Sequence, residues 1–377
     1  MNSNFAILMC GSKGYKNYRH IADLFTWKHL LLSRGYKEEN IITLAYNDLN
    51  TPIYHECGGE DIRTSIDYEN IEATKNNFLN IISYPEYDNI TRSFWLFKHK
   101  EHINNFKSDF NSEHDKHLNF TGLRKEDINV VIVYINHGSV NMLSVPNKFD
   151  EEIYVDELQN AVNMLSKHVN NILLFIEACY SGSFITNIKN NNWNNNILIF
   201  TAASGLESSY SFGYCEDIET FTTDEFTYNV INFIDNDKGT SKINDLINYV
   251  SKYTTHSHIM ITPNKLLNKY LYVFFSKSNY PIFEGIERND NNKGTNNELK
   301  IINPLYSKLL HKLNKYGVEG RKHDNEIYDC YKTVTKIVKK LCFHDINETL
   351  IKTYNKIGKL CKYYTMIDII NELNNIC

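Results

Sequence analysis

The sequence predicts an α/β protein in which helices cover both faces of a largely parallel sheet. Short apolar runs rich in β-branched residues alternate along the chain with amphipathic segments of helical period. The runs are continuously apolar, which is typical of strands that are buried on both faces. The alternation predicts an α/β/α sandwich whose reactive groups lie at the carboxyl ends of its strands.

Six apolar runs are predicted to form the sheet. They cover residues 5–10, 41–45, 130–135, 172–176, 197–201 and 270–275. Helices are predicted over residues 22–33, 74–82 and 155–166, where the pattern changes to a helical one. The rest of residues 51–128 is long and polar, so we expect mostly loops there.

Composition divides the chain into three parts. Residues 1–283 contain the predicted sheet and helices. Residues 284–299 are polar and Asn-rich without apolar periodicity, which is typical of a flexible linker. Residues 300–377 carry apolar residues at helical spacing and four of the eight cysteines, so they are predicted to be a small all-α domain stapled by disulfides.

Composition and charge exclude several classes of protein. A chain of 377 residues with 42% hydrophobic content can bury a full core, which excludes a disordered chain. The net charge of −5 argues against a nucleic-acid partner, and no apolar run reaches the roughly 18 residues of a membrane span. The first apolar run lacks a basic flank, so it is predicted to be a strand and no signal peptide is expected in this sequence.

The charge is unevenly distributed. Residues from Lys300 onward contain 14 Lys and Arg against 8 Asp and Glu, a net charge of +6. The preceding residues contain 26 against 37, a net charge of −11. A basic tail on an acidic body predicts that the two parts attract each other.

The cysteines and histidines give no metal or cofactor site. The tail cysteines lack the Cys-x-x-Cys spacing of a zinc knuckle, so two disulfides are favoured, and with them an oxidising compartment. His256 and His258 are assigned a structural role because no carboxylate or Cys stands beside them at metal-ligand spacing. Cys10, Cys57 and Cys215 are predicted to be free thiols.

The candidate catalytic residues follow the ends of two predicted strands. One predicted strand leads into His137 and Gly138, and another leads into Glu177, Ala178 and Cys179. If the two strands are parallel neighbours, the imidazole and the thiol share one rim of the sheet, where His137 can take the proton of Cys179. The small residues beside them allow backbone N–H groups to approach a substrate oxyanion. The pattern predicts a Cys-His acyl-transfer site.

Several motifs support that reading together. Residues 11–23 read Gly-Ser-Lys-Gly-Tyr-Lys-Asn-Tyr-Arg-His-Ile-Ala-Asp, and they are followed in order by His-Gly-Ser at 137–139, Glu-Ala-Cys-Tyr-Ser-Gly at 177–182, Glu-Ser-Ser-Tyr at 207–210 and Ser-His-Ile-Met at 257–260. In their order and spacing these motifs resemble the legumain family, the asparaginyl endopeptidases among the caspase-like cysteine proteases. The resemblance implies a caspase-like fold and cleavage of peptides and proteins after Asn, or after Asp in acid.

The resemblance also implies a role for each matching residue. Cys179 is the nucleophile, His137 the general base and acid, and Asn17 the group that steadies the imidazole. The backbone N–H groups of Gly138 and Cys179 form the oxyanion hole. The residues that match the family's specificity pocket are Arg19, His20, Glu177, Ser208, Ser209 and Asp224. A carboxamide needs a cation for its oxygen and a carboxylate for its nitrogen, which Arg19 and the two acids can supply.

The tail resembles the inhibitory prodomain of the same family. The resemblance implies the pairs Cys330–Cys361 and Cys342–Cys377, an endolysosomal, vacuolar or secreted location, and cystatin-type inhibitors as partners. We expect removal of the tail in acid by cleavage in the linker, because protonated carboxylates attract a basic tail less. Asn297 is the preferred point, with Asn296 and Asn289 as alternatives, in a chain that contains 51 Asn.

One departure from the family and two alternatives remain. The family usually has Asp immediately before the catalytic His, in a form linked to peptide ligation, and this chain has Asn136. Hydrolysis does not need that carboxylate, so the departure bears on ligase activity. The catalytic subunit of the GPI transamidase shares the Cys-His core, and a non-catalytic caspase-like binding module is the alternative of another class.

Overall fold

The computed structural model describes residues 3–83, 116–145, 152–186 and 193–276, together with residues 330, 333, 334, 360, 361, 366, 369 and 370. The predicted linker, the three proposed cleavage points and the pair Cys342–Cys377 lie outside these residues. The division into three domains therefore stays a prediction. Of the isolated tail residues, all but Cys361 are helical.

Seven strands of the described chain form one mixed sheet. They are β1 (Ser3–Cys10), β2 (Ile41–Ala45), β3 (Tyr68–Glu69), β4 (Ile128–Ile135), β8 (Asn171–Glu177), β9 (Ile197–Thr201) and β12 (Met260–Ile261). Their order across the sheet is β12-β9-β8-β4-β1-β2-β3. Every pair is parallel except β12 with β9, so the prediction of a largely parallel sheet is confirmed.

Helices cover both faces of this sheet. The described helices are α1 (Tyr18–Ser33), α2 (Lys75–Ser83), α3 (Val155–Ser166), α4 (Ser183–Thr186), α5 (Glu225–Asn236) and α6 (Ile243–Tyr253). Successive residues of β1 alternate between two apolar clusters: Leu8 packs in the cluster of α1, α5 and α6, and Ile7 packs in the cluster of α2 and α3. The predicted α/β/α sandwich is thus confirmed, and its strands are buried on both faces because each face has its own helical layer.

Two short sheets lie beside the sandwich. One joins β5 (Gly138–Ser139), β6 (Met142–Leu143) and β7 (Ile153–Tyr154). The other is an antiparallel hairpin of β10 (Ser211–Cys215) and β11 (Thr220–Asp224). Each of them contains a residue of the candidate site. Gly138 is the first residue of β5, and Asp224 is the last residue of β11.

The sixth predicted strand is wrong. Residues 270–275 contain a 3-10 helix at Leu271–Val273, and Phe275 donates a backbone hydrogen bond to the carbonyl oxygen of Leu271. Leu271 and Phe275 are buried against the α1 layer, so the apolar run packs in the core without forming a strand of the sheet. In the described chain the two short strands β3 and β12 complete the sheet, which has seven strands where six were predicted.

The prediction that Cys57 and Cys215 are free thiols is also wrong. These residues form a disulfide between the loop after β2 and the end of β10, with their Cα atoms 5.1 Å apart. They are 158 residues apart in sequence, so no local pattern could reveal the pair. Cys10 is a buried free thiol. In the tail, Cys330 is bonded to Cys361, the first of the two pairs that the resemblance implied.

No described helix is both long and apolar enough to cross a bilayer. Within the described part of the chain, Cys57, Cys215 and Asp217 are the grouping whose ligand atoms lie as close together as a metal ion requires. The two sulfurs of this group are joined to each other, so they are not available as thiolates.

Candidate active site

The candidate site lies at the carboxyl ends of two neighbouring parallel strands. Ile135 at the end of β4 is paired with Glu177 at the end of β8. His137 and Cys179 each follow two residues later, and the backbone N–H of Asn136 donates to the carbonyl oxygen of Glu177 at 3.0 Å, which continues the pairing. The register therefore brings the imidazole and the thiol to one rim of the sheet, as predicted.

Asn17 fixes the orientation of the His137 ring. Its Oδ1 lies 2.7 Å from Nε2 of His137, and its Nδ2 donates to the carbonyl oxygen of Lys13 at 2.8 Å. An amide oxygen can only accept, so Nε2 must be the donor of the first bond. In the neutral ring this leaves Nδ1 without a proton, and Nδ1 can then accept the proton of the Cys179 thiol.

Cys179 lies at a constrained point of the backbone. Its Sγ is 3.9 Å from the carbonyl oxygen and 3.8 Å from Oγ of Ser209. Burial raises the pKa of the Cys179 thiol, although the bonds to Ser209 and Ser208 and the charge of Arg19 oppose the rise. Tyr180, the next residue, has a positive φ of 58°, a conformation that bulky residues adopt only where the surroundings impose it. A thiol whose pKa is raised stays protonated at neutral pH and needs a base before it can act as a nucleophile.

Gly138 allows the ends of the two strands to approach each other closely. A Cβ atom built on this residue would lie 2.6 Å from the carbonyl oxygen of Cys179 and 2.9 Å from Cβ of Ala178. Because the first of these contacts is with backbone, any side chain at Gly138 would separate the two strand ends. The glycine therefore lets the backbone at residues 138 and 179 lie close together at this rim of the sheet.

Arg19, His20 and Asp224 form an ionic cluster beside the thiol. Arg19 Nε donates to Oδ1 of Asp224 at 2.8 Å, and Nε2 of His20 lies 3.3 Å from Oδ2 of the same carboxylate. Burial alone would raise the pKa of Asp224, but Arg19 and His20 outweigh it and hold that pKa at about 2. Burial and the charge of Arg19 lower the pKa of His20. Asp224 is therefore the ionised acid of the cluster at neutral pH.

Glu177 is the second buried acid of the pocket. Its Oε2 accepts from the backbone N–H of Thr227 at 3.2 Å and from the Thr227 hydroxyl at 3.3 Å. Its buried Oε1 has no hydrogen-bond partner among the described residues. Burial raises the pKa of Glu177 well above its usual range, the charges of Asp224 and Asp23 raise it further, and the Ser209 hydroxyl and the backbone N–H of Thr227 oppose the rise. A buried carboxyl with one oxygen that makes no hydrogen bond within the described chain can accept from an incoming amide N–H.

The structure thus brings together the residues that the sequence singled out. The His20 ring packs edge-on against the ring of His137 with centroids 5.0 Å apart, so pocket and catalytic groups are contiguous. His256 and His258 lie outside the pocket: their Nδ1 atoms are 3.1 Å from Glu225 and 3.0 Å from Glu207. The first pair joins His256 to the first residue of α5, and the second joins His258 to the loop between β9 and β10.

Two residues around the site were missed by sequence reasoning. Asp23 is fully buried and hydrogen-bonded to Thr223 and Asp224, and Thr227 holds Glu177. Asp23 stands in the 11–23 motif at four residues after Arg19, which places both on one face of α1. That spacing was the available signal.

A thiol and an oriented imidazole at adjacent strand ends form an arrangement that is capable of nucleophilic acyl transfer. The model of the Peptidase C13 family matches residues 4–93 and 107–275. The chain therefore belongs to the peptidase C13 family.

Individual relatives agree with this assignment. The chain is 31% identical to a hemoglobinase of Schistosoma mansoni over 61% of this chain and 49% of the relative. It is 25% identical to human legumain over 70% of this chain and 57% of the relative, and 27% identical to the vacuolar-processing enzyme delta-isozyme of Arabidopsis thaliana over 57% and 42%. The chain thus spans about half the length of the curated relatives it matches.

A crystal structure of caspase-1 from Spodoptera frugiperda overlaps the chain with a TM-score of 0.39 at 13% identity. The overlap covers 74% of this chain and 92% of that chain.

Proposed function

We propose that this protein is a cysteine endopeptidase that hydrolyses peptide bonds after Asn. The observation that carries the proposal is the position of the Arg19–Asp224 ion pair and the uncommitted oxygen of Glu177 next to Cys179. Together these groups offer both hydrogen-bond donors and acceptors within a buried pocket. That combination suits a neutral carboxamide better than a charged or apolar side chain.

The catalytic steps use only groups of the site. His137 Nδ1 takes the proton of Cys179, and the thiolate sulfur attacks the scissile carbonyl carbon. The carbonyl oxygen becomes negative and is held by the backbone N–H groups of Gly138 and Cys179. The imidazolium then protonates the departing amine as the C–N bond breaks, which leaves a thioester. Water, deprotonated by His137, hydrolyses this thioester and restores the thiol.

The pocket selects among side chains by charge and hydrogen bonding. The carboxamide oxygen of Asn accepts from the Arg19 guanidinium, and its nitrogen donates to Asp224 or to Oε1 of Glu177. An Asp side chain has no N–H, and its charge is repelled by Asp224, which is ionised down to a pH near its pKa of about 2. Cleavage after Asp is therefore expected only in acid, where the substrate carboxyl is protonated.

A panel of short fluorogenic peptides tests the proposal. The acid-treated protein is incubated with peptides that differ only in Asn, Asp, Gln or Ala before the reporter group, alongside Cys179→Ser. Selective turnover of the Asn peptide that is lost in Cys179→Ser is the expected result. Turnover without preference for Asn overturns the specificity, and an inactive but folded protein favours the non-catalytic binding module. Transfer to an added amine in preference to water favours the transamidase.

The full chain is proposed to be a zymogen. The support is the net charge of +6 after residue 299 against −11 before it, and the helical, disulfide-bonded residues of the tail. At neutral pH the tail covers the cleft, and in acid the neutralised body releases it. Cleavage at Asn297, Asn296 or Asn289 then separates residues 300–377. The disulfides and the acid requirement favour a lysosomal, vacuolar or secreted location. The family resemblance implies cystatin-type inhibitors as partners.

Acid incubation followed by mass analysis of the fragments tests zymogen activation. The wild type is expected to be cut within residues 284–299, and Cys179→Ser is expected to stay intact. Equal cutting of Cys179→Ser would show that an outside protease acts, and an uncut wild type with active Cys179 would remove the autocatalytic step.

Hydrolysis is proposed to prevail over ligation. The buried Asn136 donates through Nδ2 to the carbonyl oxygens of Gly11 and Ser144. A carboxylate has no N–H to offer these two oxygens, so the present backbone arrangement suits an amide. Product analysis with an added amine-terminal peptide measures the ratio of ligated to hydrolysed product, and we expect hydrolysed product to predominate.

A further inference from the structure

Asp224 does not cap the helix that follows it, as an acid at this position usually does. It is the residue immediately before α5, where Asp commonly caps the helix by accepting from its first backbone N–H groups. Asp224 makes no such bond, and its carboxylate turns instead towards Arg19 and His20. Some other group must therefore satisfy the start of α5 and hold Asp224 in this orientation.

Two neighbours satisfy the start of the helix. Glu177 accepts from the backbone N–H of Thr227, the third residue of α5, at 3.2 Å. The carbonyl oxygen of Tyr210 accepts from the backbone N–H of Glu225, its first residue, at 2.9 Å. These bonds replace the missing cap, so the carboxylate of Asp224 is available to the pocket.

Asp23 holds Asp224 in place from the opposite side. Its Oδ2 accepts from the backbone N–H of Asp224 at 3.0 Å, and its Oδ1 accepts from the hydroxyl of Thr223 at 2.5 Å. Asp23 is fully buried on α1, one turn after Arg19. Both ends of the Arg19–Asp224 pair are therefore tied to the same helix face.

We propose that Asp23 is a positioning residue that sets the place of the Asp224 carboxylate and thereby determines selectivity for Asn. This inference rests on the proposed function, because it assumes that Asp224 binds the substrate carboxamide. Asp23 touches neither substrate nor thiol and acts through the end of β11.

The charges of the cluster agree with this role. Burial raises the pKa of Asp23 well above its usual range, and the neighbouring charge of Asp224 raises it further. Asp224 differs from Asp23 and Glu177 because Arg19 and His20 hold its pKa at about 2. An Asn at position 23 keeps an amide oxygen that can accept from the backbone N–H of Asp224, and its N–H can donate to the hydroxyl of Thr223, so it should largely replace Asp23.

Three variants of the acid-treated full chain test the inference. Asp23→Ala removes the acceptors, and Asp23→Asn keeps the shape. Asp67→Ala is the matched control, because Asp67 likewise accepts from the backbone N–H and hydroxyl of one threonine, Thr43, away from the site. For each protein kcat/KM is measured with the Asn and Ala peptides, and intact sites are counted by mass analysis after alkylation of Cys179 with iodoacetamide.

The expected result in Asp23→Ala is a lower ratio of kcat/KM for the Asn peptide to kcat/KM for the Ala peptide. In Asp23→Ala, kcat/KM for the Asn peptide should fall about ten- to a hundredfold per intact site, with little change for the Ala peptide, because a buried donor is left unpaired and Asp224 shifts. Asp23→Asn should restore most of the preference for Asn. Asp67→Ala should lower only the number of intact sites.

The outcomes separate the two proposals. An unchanged Asn-to-Ala ratio in Asp23→Ala overturns the positioning role while the proposed function stands. In an Asp23→Asn variant the amide oxygen can still accept from the backbone N–H of Asp224, so a variant as unselective as Asp23→Ala would show that this bond does not set the selectivity, which also overturns the inference. A wild type without preference for Asn overturns the proposed function and this inference with it.

Discussion

Nε2 of His137 donates a 2.7 Å hydrogen bond to Oδ1 of Asn17. The two residues are 120 positions apart, one at the start of α1 and the other beyond the end of β4. The bond determines which ring nitrogen is available to Cys179, so the start of a helix sets the protonation pattern of a base on the sheet.

Asn17→Ala should therefore lower kcat about ten- to a hundredfold with little change in KM, because the imidazole loses its orientation but the pocket is intact. Asn17→Asp should keep most of the activity, since a carboxylate also accepts from Nε2, and should shift the acid limb of the pH profile upward, since it stabilises the imidazolium. Steady-state kinetics with the Asn peptide measure both effects. An Asn17→Ala enzyme with unaltered kcat would show that the ring does not depend on this bond.

Gly138→Ala should abolish activity while the protein stays folded. The new Cβ would press on the carbonyl oxygen of Cys179 and displace the oxyanion hole, which is worth about 10²–10³ in kcat for a single donor. Gly122→Ala is the control, because Gly122 has a positive φ of 76° but no atom within 4 Å of an added Cβ. It should cost about 1 kcal/mol of stability and leave kcat unchanged. Equal losses of activity in both variants would contradict the assignment.

The Cys57–Cys215 disulfide should stabilise the hairpin that ends in Asp224. Cys57→Ala, Cys215→Ala and the double variant are each expected to lower the free energy of unfolding by about 2–5 kcal/mol, because each removes the same cross-link. Denaturant titration under oxidising conditions measures these values. Additive losses in the double variant, rather than equal ones, would mean that the two cysteines act separately.

Glu177→Gln should become more stable relative to the wild type as the pH rises. The raised pKa of Glu177 means that the folded state keeps a proton which the unfolded state releases above its ordinary pKa of 4.5. The wild type therefore loses stability as the pH rises, and Gln, which does not titrate, escapes this loss. The difference in Tm between the two proteins, measured from about pH 5 to about pH 8, should grow with pH.

Glu207→Gln is a control for which the pH dependence of stability has the opposite sign. Burial alone would raise the pKa of Glu207, but bonds from Ser204 and His258 outweigh it and lower that pKa. The stability that Glu207 contributes is present above pH 4.5 and is lost as the pH falls through its folded pKa. Its Tm difference from the wild type should therefore change below that pH and stay level above it. The same trend in both variants would contradict the protonation states of the pocket.

Part of this architecture was predictable because it depends on short-range patterns. Five of the six predicted strands formed, and α3, β2 and β9 have the predicted bounds. His137 and Cys179 were predictable because parallel strands place their carboxyl ends on one rim. Residues 270–275 were mispredicted because an apolar run of that length is equally satisfied by packing without strand pairing.

Periodicity and motif spacing were enough to predict the sandwich, the rim on which the reactive residues lie, and the residue types of the pocket. Four features depend instead on packing between distant elements: Asp224 does not cap its own helix, Glu177 accepts from the start of that helix, Asp23 holds Asp224, and Cys57 is bonded to Cys215. Those contacts join residues between 50 and 201 positions apart. Periodicity and strand ends depend on neighbouring residues in the sequence, whereas the partner of a buried polar group depends on how separate elements pack.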